Sequence, residues 1–219
     1  MQIKVCGMRD VSNIKAVIDL NVNYIGFVFH PASPRFVRNT DNDYSFLSDK
    51  KQSLHNIKTV GVFVNEMPQR VIDNIRDFYL DCIQLHGEED AAYIEKIRET
   101  TLQCLNRDIT VIKALSIKEA DDVKRWQKYK RYADLLLFDT KCKGRGGSGI
   151  QFDWSLLDEY DGDIPFLLSG GIGPVDVPQI KKFKHPMFKG VDVNSKFEIS
   201  PTIKDVDRLK TFINDINNY

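Results

Sequence analysis

Eight short apolar runs, each followed by a longer stretch with helical character, recur along the 219 residues, and this alternation limits the fold more than any other feature. The runs occupy 3–6, 24–29, 58–63, 82–85, 111–115, 135–138, 166–168 and 188–193. A strand returning parallel to its predecessor needs a helical crossover, so strict strand–helix alternation predicts a parallel sheet flanked by helices. Eight such units closing on themselves predict an α/β fold of the (β/α)8, or TIM-barrel, kind, with residues 1–219 as a single domain. No G-x-G-x-x-G follows the first run, which counts against a dinucleotide-binding open sheet.

The helical stretches are expected at 11–20, 68–78, 88–99, 118–129, 174–183 and 203–216, with Asp10 before the first and Pro68 and Pro174 at first-turn positions. Two connections are weaker. The stretch 43–54 has a poor apolar stripe, and the one beginning near Asp153 is short.

Composition narrows the partners. Lys plus Arg and Asp plus Glu are each 31, so no overall field draws the chain to nucleic acid or to an anionic membrane, and an anionic ligand must be held locally. The first residues read directly as a strand and no apolar run reaches a membrane span, which predicts a cytoplasmic protein. Cys6, Cys82, Cys104 and Cys142 lack C-x-x-C spacing and are expected as free thiols. No residue set has metal-ligand spacing.

Chemistry in such a barrel gathers where strands end. The seventh and eighth runs lead into Leu168-Ser169-Gly170-Gly171-Ile172 and Gly190-Val191-Asp192-Val193-Asn194-Ser195, the layout of a phosphate cradle, where glycine lets backbone N–H groups approach an anion closely. The first run ends in Cys6, with period-two alternation placing Lys4 below it on the same face. Cys6 is either a small core residue or a thiol that a nearby cation could turn into a base. Asp139 closes the sixth run and is either a turn residue or a general acid raised by burial. Arg35 follows two prolines and is either a solvated side chain or a carboxylate clamp. His86 ends the fourth run and is either a hydrogen-bonder or a proton carrier, and the glycine-rich stretch 144–149 is either a lid or a connection.

In sequence order, Lys4-Val5-Cys6-Gly7-Met8, Gly26-Phe27-Val28-Phe29, Ser33-Pro34-Arg35, Gly61-Val62-Phe63, Gln84-Leu85-His86-Gly87 and Phe138-Asp139-Thr140 are followed by Gly146-Gly147-Ser148-Gly149, Phe152-Asp153-Trp154, Ser169-Gly170-Gly171-Ile172 and Gly190-Val191-Asp192-Val193. With these motifs the chain resembles, from end to end, the phosphoribosylanthranilate isomerases of tryptophan biosynthesis. The resemblance implies a cofactor-free Amadori rearrangement of a small phosphosugar, N-(5-phosphoribosyl)anthranilate. It also implies Cys6 as general base, Asp139 as general acid, Arg35 on the anthranilate carboxylate, and Gly170, Gly171, Asp192 and Asn194 as backbone donors to the phosphate. Neither nucleic acid nor membrane is expected as partner, and the chain is expected as monomer or homodimer.

In one place the pattern departs. Where the family commonly reads Asp-x-Ser-Ser-Gly, this chain has Asp192-Val193-Asn194-Ser195-Lys196, so a residue that tolerates positive φ is replaced by Lys196 and the path of that loop is left open. Two other readings stand beside this one. The histidine-pathway isomerase performs the same rearrangement, but its family resembles a two-aspartate catalyst and Cys6 argues against it. A phosphosugar-binding barrel without chemistry would not be expected to keep both Cys6 and Asp139.

Overall fold

In the computed structural model, residues 1–38, 43–49, 54, 56–140 and 151–217 are described. Eight parallel strands close into a barrel in sequence order: β1 (Gln2–Val5), β2 (Tyr24–Val28), β3 (Lys58–Phe63), β4 (Cys82–Leu85), β5 (Thr110–Ile117), β6 (Leu135–Thr140), β7 (Phe166–Leu168) and β8 (Phe188–Val193). Between and after them lie α1 (Val11–Ile18), α2 (Pro68–Asp77), α3 (Ala91–Leu105), α4 (Ala120–Val123), α5 (Val177–Lys182) and α6 (Val206–Asn217). Local chemistry sets several helix boundaries. Asp10 accepts the Asn13 N–H at 2.7 Å, Asp90 accepts that of Tyr93 at 2.8 Å, and α3 ends at Asn106 with φ 50°.

Alternation along each strand sorts side chains into two cores. Ile3, Val5, Phe27, Phe63, Leu136, Phe138, Phe166 and Leu168 face outward under the helices. Tyr24, Val60, Cys82, Ile112, Ala114, Leu135, Leu137 and Leu167 fill the barrel itself. Closure of β8 on β1 requires Gly190, because a Cβ there would lie 1.8 Å from the Gln2 carbonyl oxygen. At the same point the β7–β8 register slips, with Phe166 opposite Phe188 but Leu167 opposite Gly190.

The connections differ from the sequence expectation in several places, among them 174–183, which divides into a 3₁₀ turn, Pro174–Asp176, and α5. Within 43–54 the described residues form only a single 3₁₀ turn, Ser45–Ser48. The 118–129 stretch divides into α4 and a 3₁₀ segment, Lys124–Tyr129, and the one starting near Asp153 is entirely 3₁₀, Trp154–Glu159. Ile203 does not begin the last helix. Ile203–Lys204 is a strand, β10, paired antiparallel with β9 (Glu198–Ser200) in a hairpin inserted between β8 and α6. The glycine-rich stretch 144–149 and Cys142 lie outside the described residues. Among the described residues, no helix is long and apolar enough to cross a membrane.

Candidate active site

The C-terminal ends of the strands surround one cleft lined by Cys6, His30, Arg35, Gln84, His86, Asp139, Ser169, Gly170, Gly171, Asp192, Asn194 and Ser195. All seven residues singled out from the sequence, Cys6, Arg35, Asp139, Gly170, Gly171, Asp192 and Asn194, are therefore brought together.

Below Cys6 the barrel interior carries an ion pair. Lys4, wholly buried, donates to Asp192 Oδ1 at 2.7 Å, and Asp192 Oδ2 accepts from the Ser169 hydroxyl at 3.0 Å. Burial opposes the Lys4 charge, but Asp192 and then Cys6 outweigh it, so the pKa of Lys4 is raised. The cation anticipated beside the thiol is present, yet it does not win. Burial pushes the Cys6 thiol up, and the Lys4 and Lys204 ammoniums, pulling down, do not overcome burial and the Asp192 charge. Cys6 is therefore held as a thiol, with the Lys4 and Lys204 side chains as its cationic neighbours.

Asp139 is the penultimate residue of β6, three neighbours round the barrel from β1. Its Oδ1 accepts the Thr140 N–H at 2.8 Å and its Oδ2 lies 3.2 Å from His86 Nε2. The side chain keeps 15% exposure, so it opens onto the cleft instead of lying in a sealed cavity. His86 Nδ1 is 3.3 Å from Gln84 Nε2. Gln84 points into the barrel mouth, and its Oε1 has no partner among the described residues. The turn behind His86 is fastened from below: Lys113 donates to the Leu85 and Gly87 carbonyls and to Glu89 at 3.1, 2.7 and 2.9 Å, and Glu89 accepts the N–H groups of Gly87 and Asn65.

The glycine turn after β7 has the backbone its sequence requires. Gly170 and Gly171 take φ of 90° and 70°, a region that costs other residues steric strain, and a Cβ on Gly170 would lie 2.3 Å from Thr140 Oγ1. The next turn is tied by the Gly173 N–H to Asp176 Oδ2 at 2.7 Å, and Gln151 reaches the same carboxylate oxygen at 2.7 Å. On the β8 side, Asn194 leads into a 3₁₀ turn, Ser195–Phe197. Lys196 sits inside that right-handed turn and takes no positive φ, so the loop has no need of glycine at this position. Asp192 lies within β8 with its carboxylate turned to Lys4 and Ser169, and Asn194 Oδ1 accepts from Lys204 at 2.7 Å.

Arg35 is not a loose surface side chain. Its N–H rests on Ser33 Oγ at 3.1 Å, and its guanidinium grips Glu198 with Nε to Oε1 at 2.8 Å and Nη2 to Oε2. Glu198 and Lys204 belong to the site and were not singled out from the sequence. Both come from the hairpin; the Ser200-Pro201 turn signal was the one feature that could have disclosed it. Among the described residues, no group of three or more His, Cys, Asp or Glu is placed to hold a metal ion.

The model of one protein family, described as N-(5'phosphoribosyl)anthranilate (PRA) isomerase, matches residues 3–215. A curated relative of that name from Parabacteroides distasonis is 42% identical over 216 residues, covering 99% of this chain and 93% of its own. The crystal structure of phosphoribosyl anthranilate isomerase from Thermotoga maritima superposes with a TM-score of 0.81 at 32% identity, with all of both chains covered. A structure of such an isomerase in complex with reduced 1-(o-carboxyphenylamino)-1-deoxyribulose 5-phosphate gives 0.78 at 30% identity, again covering both chains fully.

Proposed function

The chain belongs to the N-(5′-phosphoribosyl)anthranilate isomerase family, and from that premise we propose that Cys6 and Asp139 are the base and the acid of its reaction. The enzyme converts N-(5-phosphoribosyl)anthranilate to 1-(2-carboxyphenylamino)-1-deoxyribulose 5-phosphate in tryptophan biosynthesis. The observation that carries the assignment of roles is that one cleft holds a thiol, a carboxyl, a guanidinium and the two left-handed glycines on separate strand ends.

In this reading Gly170, Gly171, Asp192 and Asn194 give backbone N–H groups to the substrate phosphate, with Asp192 also fixing Lys4 through its side chain. Arg35 takes the anthranilate carboxylate. The furanose ring oxygen then lies toward Asp139. Its carboxyl proton goes to that oxygen as the C1–O bond breaks, and the nitrogen lone pair forms the C1=N bond of the Schiff base. Cys6 thiolate removes the C2 proton, the C2–H electrons form the enolamine, and tautomerisation gives the ketone with a new C–H at C1. One proton is delivered and one removed, so the isomerisation balances. His86, against Asp139 Oδ2, is placed to orient the acid between these steps.

The same reading takes residues 1–219 as a single cytoplasmic domain with no cofactor, working on a small phosphosugar as a monomer or homodimer without nucleic acid or membrane. Light scattering after gel filtration checks the last. The roles are tested by following the loss of fluorescence of phosphoribosylanthranilate generated in situ. Wild type is expected to turn it over, and Cys6→Ala and Asp139→Asn to lose about 10²–10⁴-fold in kcat while staying folded. Near-wild-type turnover in either variant would remove that residue from the mechanism.

A further inference from the structure

The hairpin β9–β10 brings three charges into one almost dry cluster beside the cleft. The Glu198 side chain is 6% exposed, that of Lys204 0% and that of Arg35 12%. Glu198 is the junction: it receives two guanidinium N–H groups of Arg35, the Lys204 ammonium at 2.7 Å and the Thr202 N–H at 3.2 Å. The hairpin itself is anchored away from the cleft. The Asn13 side chain of α1 takes both the N–H and the C=O of Lys204, at 2.7 and 2.9 Å. Thr202 holds φ at 77°, a costly value for a β-branched residue, and so presents its N–H to Glu198. The stem of Arg35 crosses Gly7, where a Cβ would come within 2.5 Å of Arg35 Cδ.

A guanidinium has five N–H donors in one plane. Glu198 occupies one edge, Nε–H and an Nη2 N–H, and leaves the other donors of the fork untaken by it on a residue that lines the cleft. The cluster counts two cations against one carboxylate, so it carries a surplus positive charge that a second carboxylate would complete. We propose that Glu198 is a positioning residue: carried by the β9–β10 hairpin, it holds Arg35 in the orientation that receives the substrate's anthranilate carboxylate. This rests on the assignment of Arg35 as the carboxylate clamp and adds the element that aims it.

Glu198 acts by geometry more than by charge. Burial lowers the pKa of Lys204, and Glu198 is the main influence that keeps it protonated. In Glu198→Gln the Lys204 ammonium keeps its Asn194 Oδ1 acceptor at 2.7 Å, whereas Arg35 loses the carboxylate that receives two of its N–H groups.

The test compares Glu198→Gln, Glu198→Asp and Arg35→Met with wild type on two substrates, the anthranilate and the aniline adducts of ribose 5-phosphate, with product measured by chromatography. For Glu198→Gln on the anthranilate adduct, KM is expected to rise about tenfold with kcat changed by less than about threefold. On the aniline adduct, which has no carboxylate, the KM penalty should be at least about fivefold smaller, and Glu198→Asp should fall between wild type and Gln on the anthranilate adduct. An equal penalty on both substrates, a loss confined to kcat, or no change would overturn the proposal. Arg35→Met separates the two levels. A carboxylate-dependent loss there without one in the Glu198 variants refutes only the positioning role, whereas no carboxylate dependence in Arg35→Met refutes the clamp and the positioning role together.

Discussion

Lys4 and Lys113 are both wholly buried lysines on barrel strands, but they leave the sheet by opposite faces. Lys4 points into the barrel, where Asp192 answers its charge and Cys6 stands above it. Lys113 points outward into the layer under the helices, donates to Glu89 and two carbonyls, and lies 5.4 Å from the Tyr129 ring centroid. The balance differs accordingly. Burial opposes both charges, but Asp192 and Cys6 raise Lys4, whereas Glu89 fails to offset burial at Lys113 and its pKa is lowered. All three donors of Lys113 are spent on holding a turn. Lys4 shares its charge with the Cys6 thiol, the proposed base. Burial and ion pairing therefore do not by themselves mark a functional charge; what matters is whether one of the neighbours has chemistry to do.

Three measurements test that contrast and a fourth extends it to the hairpin charges. Lys4→Met is expected to lose most, because it leaves Asp192 buried without its cation, costing about 3–5 kcal/mol of stability, and also removes a charge from beside Cys6. Turnover of the folded fraction should fall about a hundredfold, read as kcat/KM after active-site titration; undiminished turnover would make Lys4 a second Lys113. Lys113→Met should cost a similar 3–5 kcal/mol or so, a drop in Tm of roughly 10 °C in calorimetry, yet lower kcat/KM of the folded enzyme by less than about tenfold. Matching activity losses in the two variants would erase the distinction.

The pH profile gives a finer separation. Because the Cys6 thiol is pushed above its ordinary value, thiolate accumulates only as pH climbs through that raised pKa, and kcat/KM should rise along an alkaline limb. Lys4→Met should move the limb to higher pH, and Lys113→Met should leave it in place. A limb unmoved by Lys4→Met would take the ammonium out of the chemistry. The smallest effect concerns acid stability at the hairpin. Burial would raise the Glu198 carboxyl, but Arg35 and Lys204 hold it below its usual range, so its contribution is complete above the ordinary glutamate pKa and is lost as pH falls through the depressed one. The stability gap between wild type and Glu198→Gln, from denaturant midpoints, should therefore close toward acid pH; a gap independent of pH would mean the pair does not set the difference.

Much of this was legible before the fold was known, for reasons that differ by residue. The runs 58–63, 82–85, 166–168 and 188–193 agree with β3, β4, β7 and β8 to the residue, because strands lined on both faces by protein are mostly apolar, with polar exceptions such as Gln84 and Asp192 inside the barrel mouth. β5 runs longer than its apolar stretch, since Ser116 and Ile117 pair beside Asp139 and Thr140 without being selected for a continuous apolar face. The hairpin escapes local periodicity for a comparable reason. Ile203 continues the apolar spacing of α6, but its pairing with Ser200 and the capture of Lys204 by Asn13 are contacts that local periodicity does not register. Glu198 and Lys204 consequently looked like ordinary charged residues.

The order of the elements, the face on which Cys6 and Lys4 stand, and the glycines of the cradle follow from sequence alone, because period, residue shape and positive φ are local constraints. Which charge meets which is not local. Lys4 finds Asp192 across 188 residues and Arg35 finds Glu198 across 163, and only barrel closure brings those strand ends round one mouth. Burial strengthens such pairs by excluding water, and burial exists only once the chain is closed, so the pairing of the site's charges belongs to the tertiary structure.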